Sequence, residues 1–182
     1  MGYNGEFAVG EATVLITPQE LELHRIVVTR TYAPDALDYH GAEFRQLDPL
    51  QVNAVAELVG GEIRIRGIVE TRIEATCDRC LGPVAIPVER AFDLIYRPVS
   101  TISREEEIEV PEGELDVGFY VGEGIQLADV ITEQVILALP MKAICREDCR
   151  GLCPVCGADR NQEACQCPAP RSDSPFAALH GE

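Results

Sequence analysis

The sequence predicts an α+β fold: an antiparallel, twisted sheet that could curl into a barrel-like form, one packing helix, and a Cys-rich metal-binding C-terminal segment. Three observations predict it. A period of two runs through residues 62–77 and resumes after a turn. One stripe at helical spacing occupies residues 127–139. Six cysteines crowd a short polar stretch, residues 145–167. The expected division is a mainly antiparallel β domain over residues 1–140, ending in the packing helix, and a zinc-binding Cys-rich segment with a tail over residues 141–182.

The chain begins without a clear pattern. Ala12-Thr-Val-Leu-Ile16 is a short strand candidate ended by Thr17-Pro18, and Leu21–His24 could continue as a helical turn. Ile26–Tyr32 is rich in β-branched residues and reads as a strand. Residues 34–49 read as a loop. Val52–Val59 is the next strand, and Gly60-Gly61 supplies the positive φ angles of a two-residue hairpin.

The alternation that follows places Ile63, Ile65, Gly67, Val69, Thr71, Ile73, Ala75 and Cys77 on one face. Arg64, Arg66 and Arg72 share the other with Glu62, Glu70 and Glu74. The mixed charge reads as a solvated face of cross-strand pairs rather than a nucleic-acid patch. Cys77-Asp-Arg-Cys80-Leu-Gly-Pro83 is the turn. Val84, Ile86, Val88, Phe92, Leu94 and Tyr96 carry the returning strand, with Pro87 marking an edge or a bulge. Residues 97–114 read as an acidic linker in which Glu105–Glu114 forms a solvated loop or a docking strip for a basic partner. Leu115–Val121 returns to strand character. Leu127, Val130, Ile131, Val135, Ala138 and Leu139 then form the helical stripe, with Asp129, Thr132 and Glu133 opposite, and Pro140 stops it. In the tail, Phe176-Ala-Ala-Leu179 is an apolar patch that could dock on the body or on a partner.

The 182 residues carry a formal charge of −16. Such a surface repels phosphate backbones and attracts basic proteins. No apolar run approaches the about 20 residues that span a bilayer, and the first residues do not read as a secretory signal. The expected location is therefore cytoplasmic. In a reducing compartment, clustered thiols are metal ligands more often than disulfides.

The eight cysteines are Cys77, Cys80, Cys145, Cys149, Cys153, Cys156, Cys165 and Cys167. In Cys153-Pro-Val-Cys156-Gly the two-residue gap lets both sulfurs face one ion. The trailing glycine lets backbone amides turn toward the thiolates. Zinc takes four such ligands in a structural site, and its binding would supply the folding free energy that so polar a segment lacks. Two partitions are open. One makes two four-thiolate sites, Cys77, Cys80, Cys145 and Cys149, then Cys153, Cys156, Cys165 and Cys167. The other draws a single site from the C-terminal six.

Catalytic zinc usually keeps an open position beside histidine and a glutamate base. His24, His40 and His180 all lie outside the cysteine cluster, and no phosphate loop or nucleophile elbow is present. The expectation is a binding protein, not an enzyme. A zinc- or thiol-dependent enzyme and a redox sensor are the alternatives. The Cys77/Cys80 pair sits at a hairpin tip and lacks the helix dipole of a thioredoxin-like site.

Cys77-Asp-Arg-Cys80-Leu with Pro87-Val88, Leu127-Ala-Asp with Leu137-Ala-Leu-Pro140, Cys145 with Asp148-Cys149-Arg-Gly-Leu-Cys153-Pro-Val-Cys156-Gly, and Ser174-Pro-Phe-Ala-Ala-Leu179 occur in that order. The set resembles the YceD family of large-subunit ribosomal RNA accumulation proteins over residues 24–180. The resemblance implies a cytoplasmic accessory protein of ribosome biogenesis, tied to accumulation of 23S ribosomal RNA. With the acidic charge, it points to a basic ribosomal protein or a pre-50S particle as partner, in preference to naked RNA.

Overall fold

The computed structural model describes residues 14–101 and 117–168. The glutamate run from Glu105 to Glu114, the Phe176–Leu179 patch, His180 and the start of the chain before Val14 lie outside the described residues. The elements in order are β1 (Leu15–Ile16), α1 (Pro18–Leu23), β2 (Ile26–Tyr32), β3 (Phe44–Gln46), β4 (Leu50–Val59), β5 (Glu62–Thr76), β6 (Pro83–Pro98), a 3-10 turn (Val99–Thr101), β7 (Val117–Tyr120), β8 (Ile125–Gln126) and α2 (Leu127–Leu137).

The main sheet runs β2-β4-β5-β6-β7, with β3 added on β5. β2 and β4 pair antiparallel from Ile26↔Ala56 to Tyr32↔Leu50, and β4 and β5 from Gln51↔Glu70 to Val59↔Glu62. Gly60 and Gly61 close the second hairpin with φ of 62° and 88°, as their sequence requires. Two expectations need correction. The sheet is not wholly antiparallel, because β7 pairs parallel to β6, from Ile95↔Val117 to Pro98↔Tyr120. The chain between Pro98 and Val117 is long enough for the crossover that parallel pairing demands. The sheet also does not close into a barrel: β2 ends the path on one side and β7 on the other, and no ladder among the described residues joins them. The apolar face is covered instead by a helix.

That helix is α2. Leu127, Val130, Ile131 and Val135 pack into one cluster with Val28, Leu50, Val52, Ile63, Ile65, Val69 and Phe92 of the sheet. Thr132 and Gln134 are buried as well, so the covered face is wider than the aliphatic stripe. Arg90 on β6 donates from Nε to Gln134 Oε1 at 2.9 Å, which satisfies that buried oxygen. α1, a second helix, begins at the N-cap Thr17, whose hydroxyl accepts from the Glu20 amide at 3.2 Å, with Pro18 in the first turn. β1 and β8 form a small separate ladder, and Leu127 N donates to Val14 O at its end.

The wet face of the sheet carries the expected pairs. Arg64 meets Asp93 at 2.6 Å, Arg66 meets Glu57 at 3.3 Å, Arg72 meets Asp48 at 3.1 Å, and Arg97 meets Glu62. Arg64 pulls the Asp93 carboxyl below its ordinary range through two hydrogen bonds. Pro87 falls where β6 has no β7 partner, since that ladder begins at Ile95, consistent with an edge position.

Residues fall into two compact units. One takes in the described parts of Met1–Glu74 and Ile86–Leu139, which hold the core above. The other takes in Ala75–Ala85, the tip of the β5–β6 hairpin, and the described residues from Pro140 onward.

Candidate metal centres

All eight cysteines lie in the second unit, and none is in a disulfide. They gather as two quartets: Cys77, Cys80, Cys145 and Cys149, then Cys153, Cys156, Cys165 and Cys167. Within each, the four sulfurs all lie within 4.8 Å of one another. Of the two partitions open in the sequence, the structure brings together the two-site one.

Each quartet starts from the same knuckle. In Cys77-Asp-Arg-Cys80, the amides of Cys80 and Arg79 turn onto the Cys77 sulfur, and Leu81 N donates to Cys77 O at 2.9 Å. In Cys153-Pro-Val-Cys156, the amides of Cys156 and Val155 turn onto the Cys153 sulfur, and Gly157 N donates to Cys153 O at 2.8 Å. The residue after each pair holds a positive φ: 59° at Leu81 and 74° at Gly157. The glycine was a visible signal for this turn. A leucine in the left-handed region was not, because side chains rarely adopt it.

The remaining ligands come from different places. α2 ends at Leu137, capped by Ala138 with Pro140 just beyond, and the chain then pairs with the hairpin tip. Asp78 N donates to Ala143 O at 2.8 Å and Ala143 N to Asp78 Oδ2 at 2.8 Å. Cys145 N reaches the Cys77 sulfur at 3.4 Å, and Cys145 Sγ stands 3.7 Å from Cys80 Sγ. Arg79 grips the same segment, donating from Nη1 to the carbonyls of Glu147 at 2.9 Å and Cys149 at 3.1 Å. The second quartet is closed by Cys165 and Cys167, whose single-residue gap brings both sulfurs to one point.

The electrostatics suit a cation. Amide donors hold the Cys77 thiol down to about 6, first from Cys145 and then from Cys80, and those of Cys156 and Val155 hold Cys153 down to about 6. Sharing with Cys149, then burial, pushes Cys145 up to about 12, and sharing with Cys156, then burial, does the same for Cys167. Thiolates so close repel one another, and a divalent ion removes that repulsion while accepting four sulfur ligands. Each quartet could hold one ion. A cleft of about 650 Å³ opens beside the second quartet, lined by Arg150, Val155, Arg160 and Glu163 together with Cys153.

A family model described as "Large ribosomal RNA subunit accumulation protein YceD" matches residues 65–181, from near the start of β5 through both quartets. The chain belongs to the YceD family. It is 36% identical over 109 residues to an uncharacterized protein of Mycobacterium tuberculosis, a match covering 59% of this chain and 50% of that one. It is 27% identical over 160 residues to the large ribosomal RNA subunit accumulation protein YCED homolog 1, chloroplastic, of Arabidopsis thaliana, covering 72% and 47%. The Zea mays protein of the same name matches at 27% over 172 residues, covering 82% and 58%. This YceD chain thus spans about half the length of the curated relatives it matches. No solved structure matches it. Among the described residues, no helix is long and apolar enough to cross a membrane.

Proposed function

We propose that this YceD protein is a cytoplasmic accessory factor of ribosome biogenesis that supports accumulation of 23S ribosomal RNA and assembly of the large subunit. The observation that carries the reading is the family match over residues 65–181, together with the names of the plant relatives. It acts by binding a basic ribosomal protein or a pre-50S particle. Its net charge of −16 supports this partner, since an acidic surface complements basic ribosomal proteins and repels bare phosphate backbones.

The two quartets hold structural zinc. A Zn–S bond of about 2.3 Å gives a tetrahedral sulfur–sulfur edge of about 3.8 Å, and the Cys80–Cys145 separation of 3.7 Å fits it. Four thiolates leave no position for a reacting water, so the centres shape a recognition surface and carry no turnover. The ion, when bound, supplies the folding free energy of the second unit.

A pull-down from lysate tests the partner. Association that persists after nuclease treatment and collapses at high salt fits a basic protein or particle. Tight capture of naked 23S fragments alone at physiological salt overturns the reading.

A further inference from the structure

The loop of each quartet contributes to the other. Asn161 lies between Cys156 and Cys165, in the loop of the second quartet, yet its Nδ2 donates to the sulfur of Cys149 in the first at 3.4 Å. Its Oδ1 accepts from Arg146 Nη2 at 3.0 Å and from the Arg150 amide at 2.8 Å, two residues that flank Cys149. In return, the carbonyl of Arg79, between Cys77 and Cys80, accepts from Leu152 N at 3.0 Å, beside Cys153. The intervening Gly151 passes its own carbonyl to Arg160 N at 3.0 Å. Asp159 fixes Asn161 through its amide at 2.9 Å and its Nδ2 at 2.7 Å, and Leu152 bridges to Asp159.

We propose that the two quartets take up metal cooperatively, with Asn161 as the positioning residue that couples them. An ion in the second quartet fixes the ends of the 157–164 loop and so holds Asn161 where its amide supports Cys149. An ion in the first fixes the Arg79 carbonyl that anchors Leu152 and hence Cys153. Each event lowers the ordering cost of the other, and the benefit is reciprocal by thermodynamic linkage. This inference rests on the reading of the quartets as metal centres.

The test is a titration of the reduced, metal-free full chain with Zn²⁺, with the zero-, one- and two-ion species resolved by native mass spectrometry. At half-loading, independent sites of any relative affinity leave at least half of the molecules with one ion. Coupling of the ordinary size, about 5- to 150-fold, lowers that share, and holds it below half where the two sites' own affinities lie within about tenfold of each other. Asn161→Ala keeps all eight thiols and raises the one-ion species above its wild-type share. Asn161→Asp, which retains the oxygen acceptor and loses the donor to Cys149, gives the same direction. A general loss of stability would weaken chiefly the first uptake step, which orders the unit, and so lower the one-ion share, the opposite direction. A one-ion share no higher in Asn161→Ala than in the wild type overturns the coupling and leaves the metal centres standing. A chain that retains no ion at any stage overturns both.

Discussion

Gly151 stands against the carbonyl oxygen of Arg79, so close that a Cβ added to it would lie 2.7 Å from that oxygen. Its φ is +68°, a conformation that glycine adopts without strain. The contact lets Leu152 reach the same carbonyl and sets the start of the Cys153 knuckle. Gly151→Ala is expected to cost at least about 1–2 kcal/mol from backbone conformation alone, with the clash added. Lower zinc retention against a chelator series, with the urea transition of the sheet little changed, is the expected result.

Metal removal is expected to melt one unit and spare the other. Structural zinc contributes on the order of 10–16 kcal/mol in small peptides, more than the polar segment can replace. After chelation under reducing conditions, amides in residues 140–168 should exchange quickly while Val52, Ile65 and Val69 stay protected. Cys153→Ser should likewise expose the segment to protease and leave the sheet intact. Unchanged proteolysis would count against a metal-dependent fold. Elemental analysis of chelator-free protein is expected to give two zinc ions per chain.

The Arg90–Gln134 bond gives a third expectation. Arg90→Ala leaves the Gln134 oxygen, on a residue 2% exposed, without its donor. A stranded buried acceptor costs about 1–3 kcal/mol. Adding Gln134→Leu removes the stranded group and should recover part of the loss, measured by urea denaturation of both variants.

The Arg64–Asp93 pair predicts a pH dependence. The Asp93 carboxyl titrates below its ordinary value in the folded chain because of Arg64. Its contribution is therefore present above the unfolded pKa and lost as pH falls through the folded one. The stability gap between wild type and Asp93→Asn should be visible at neutral pH and vanish in acid. It should be small, because Asp93 is half exposed.

Much of this architecture was legible because it rests on local periodicity. The alternation through Ile63, Ile65, Val69 and Ile73 predicts the buried face of β5, and all four are fully buried. The charges opposite predict the ion pairs. Other features depend on distant partners. β3 lies within residues expected to be loop; there, Gln46 donates to the carbonyls of Tyr32 and Asp48 and accepts from Tyr39. The parallel β6–β7 pairing has no signature in four residues. Thr132 and Gln134 look polar, and only the width of the covered helix face explains their burial. α1 was readable: Thr17, Pro18 and Glu20 are a capping pattern, but Thr17-Pro18 also reads as the end of a strand. The quartets were half legible. Spacing brings Cys153 to Cys156, but only the fold brings Cys77 and Cys80 to Cys145 and Cys149.

That last convergence has a consequence for biosynthesis. The hairpin tip with Cys77 and Cys80 leaves the exit tunnel well before Cys145 and Cys149 are made. Through that interval two thiols wait at the end of a nascent hairpin with half a coordination shell. A product truncated before Cys145 keeps them in that state permanently, and its exposed thiol pair differs from the finished chain's in reactivity toward oxidants and stray ions.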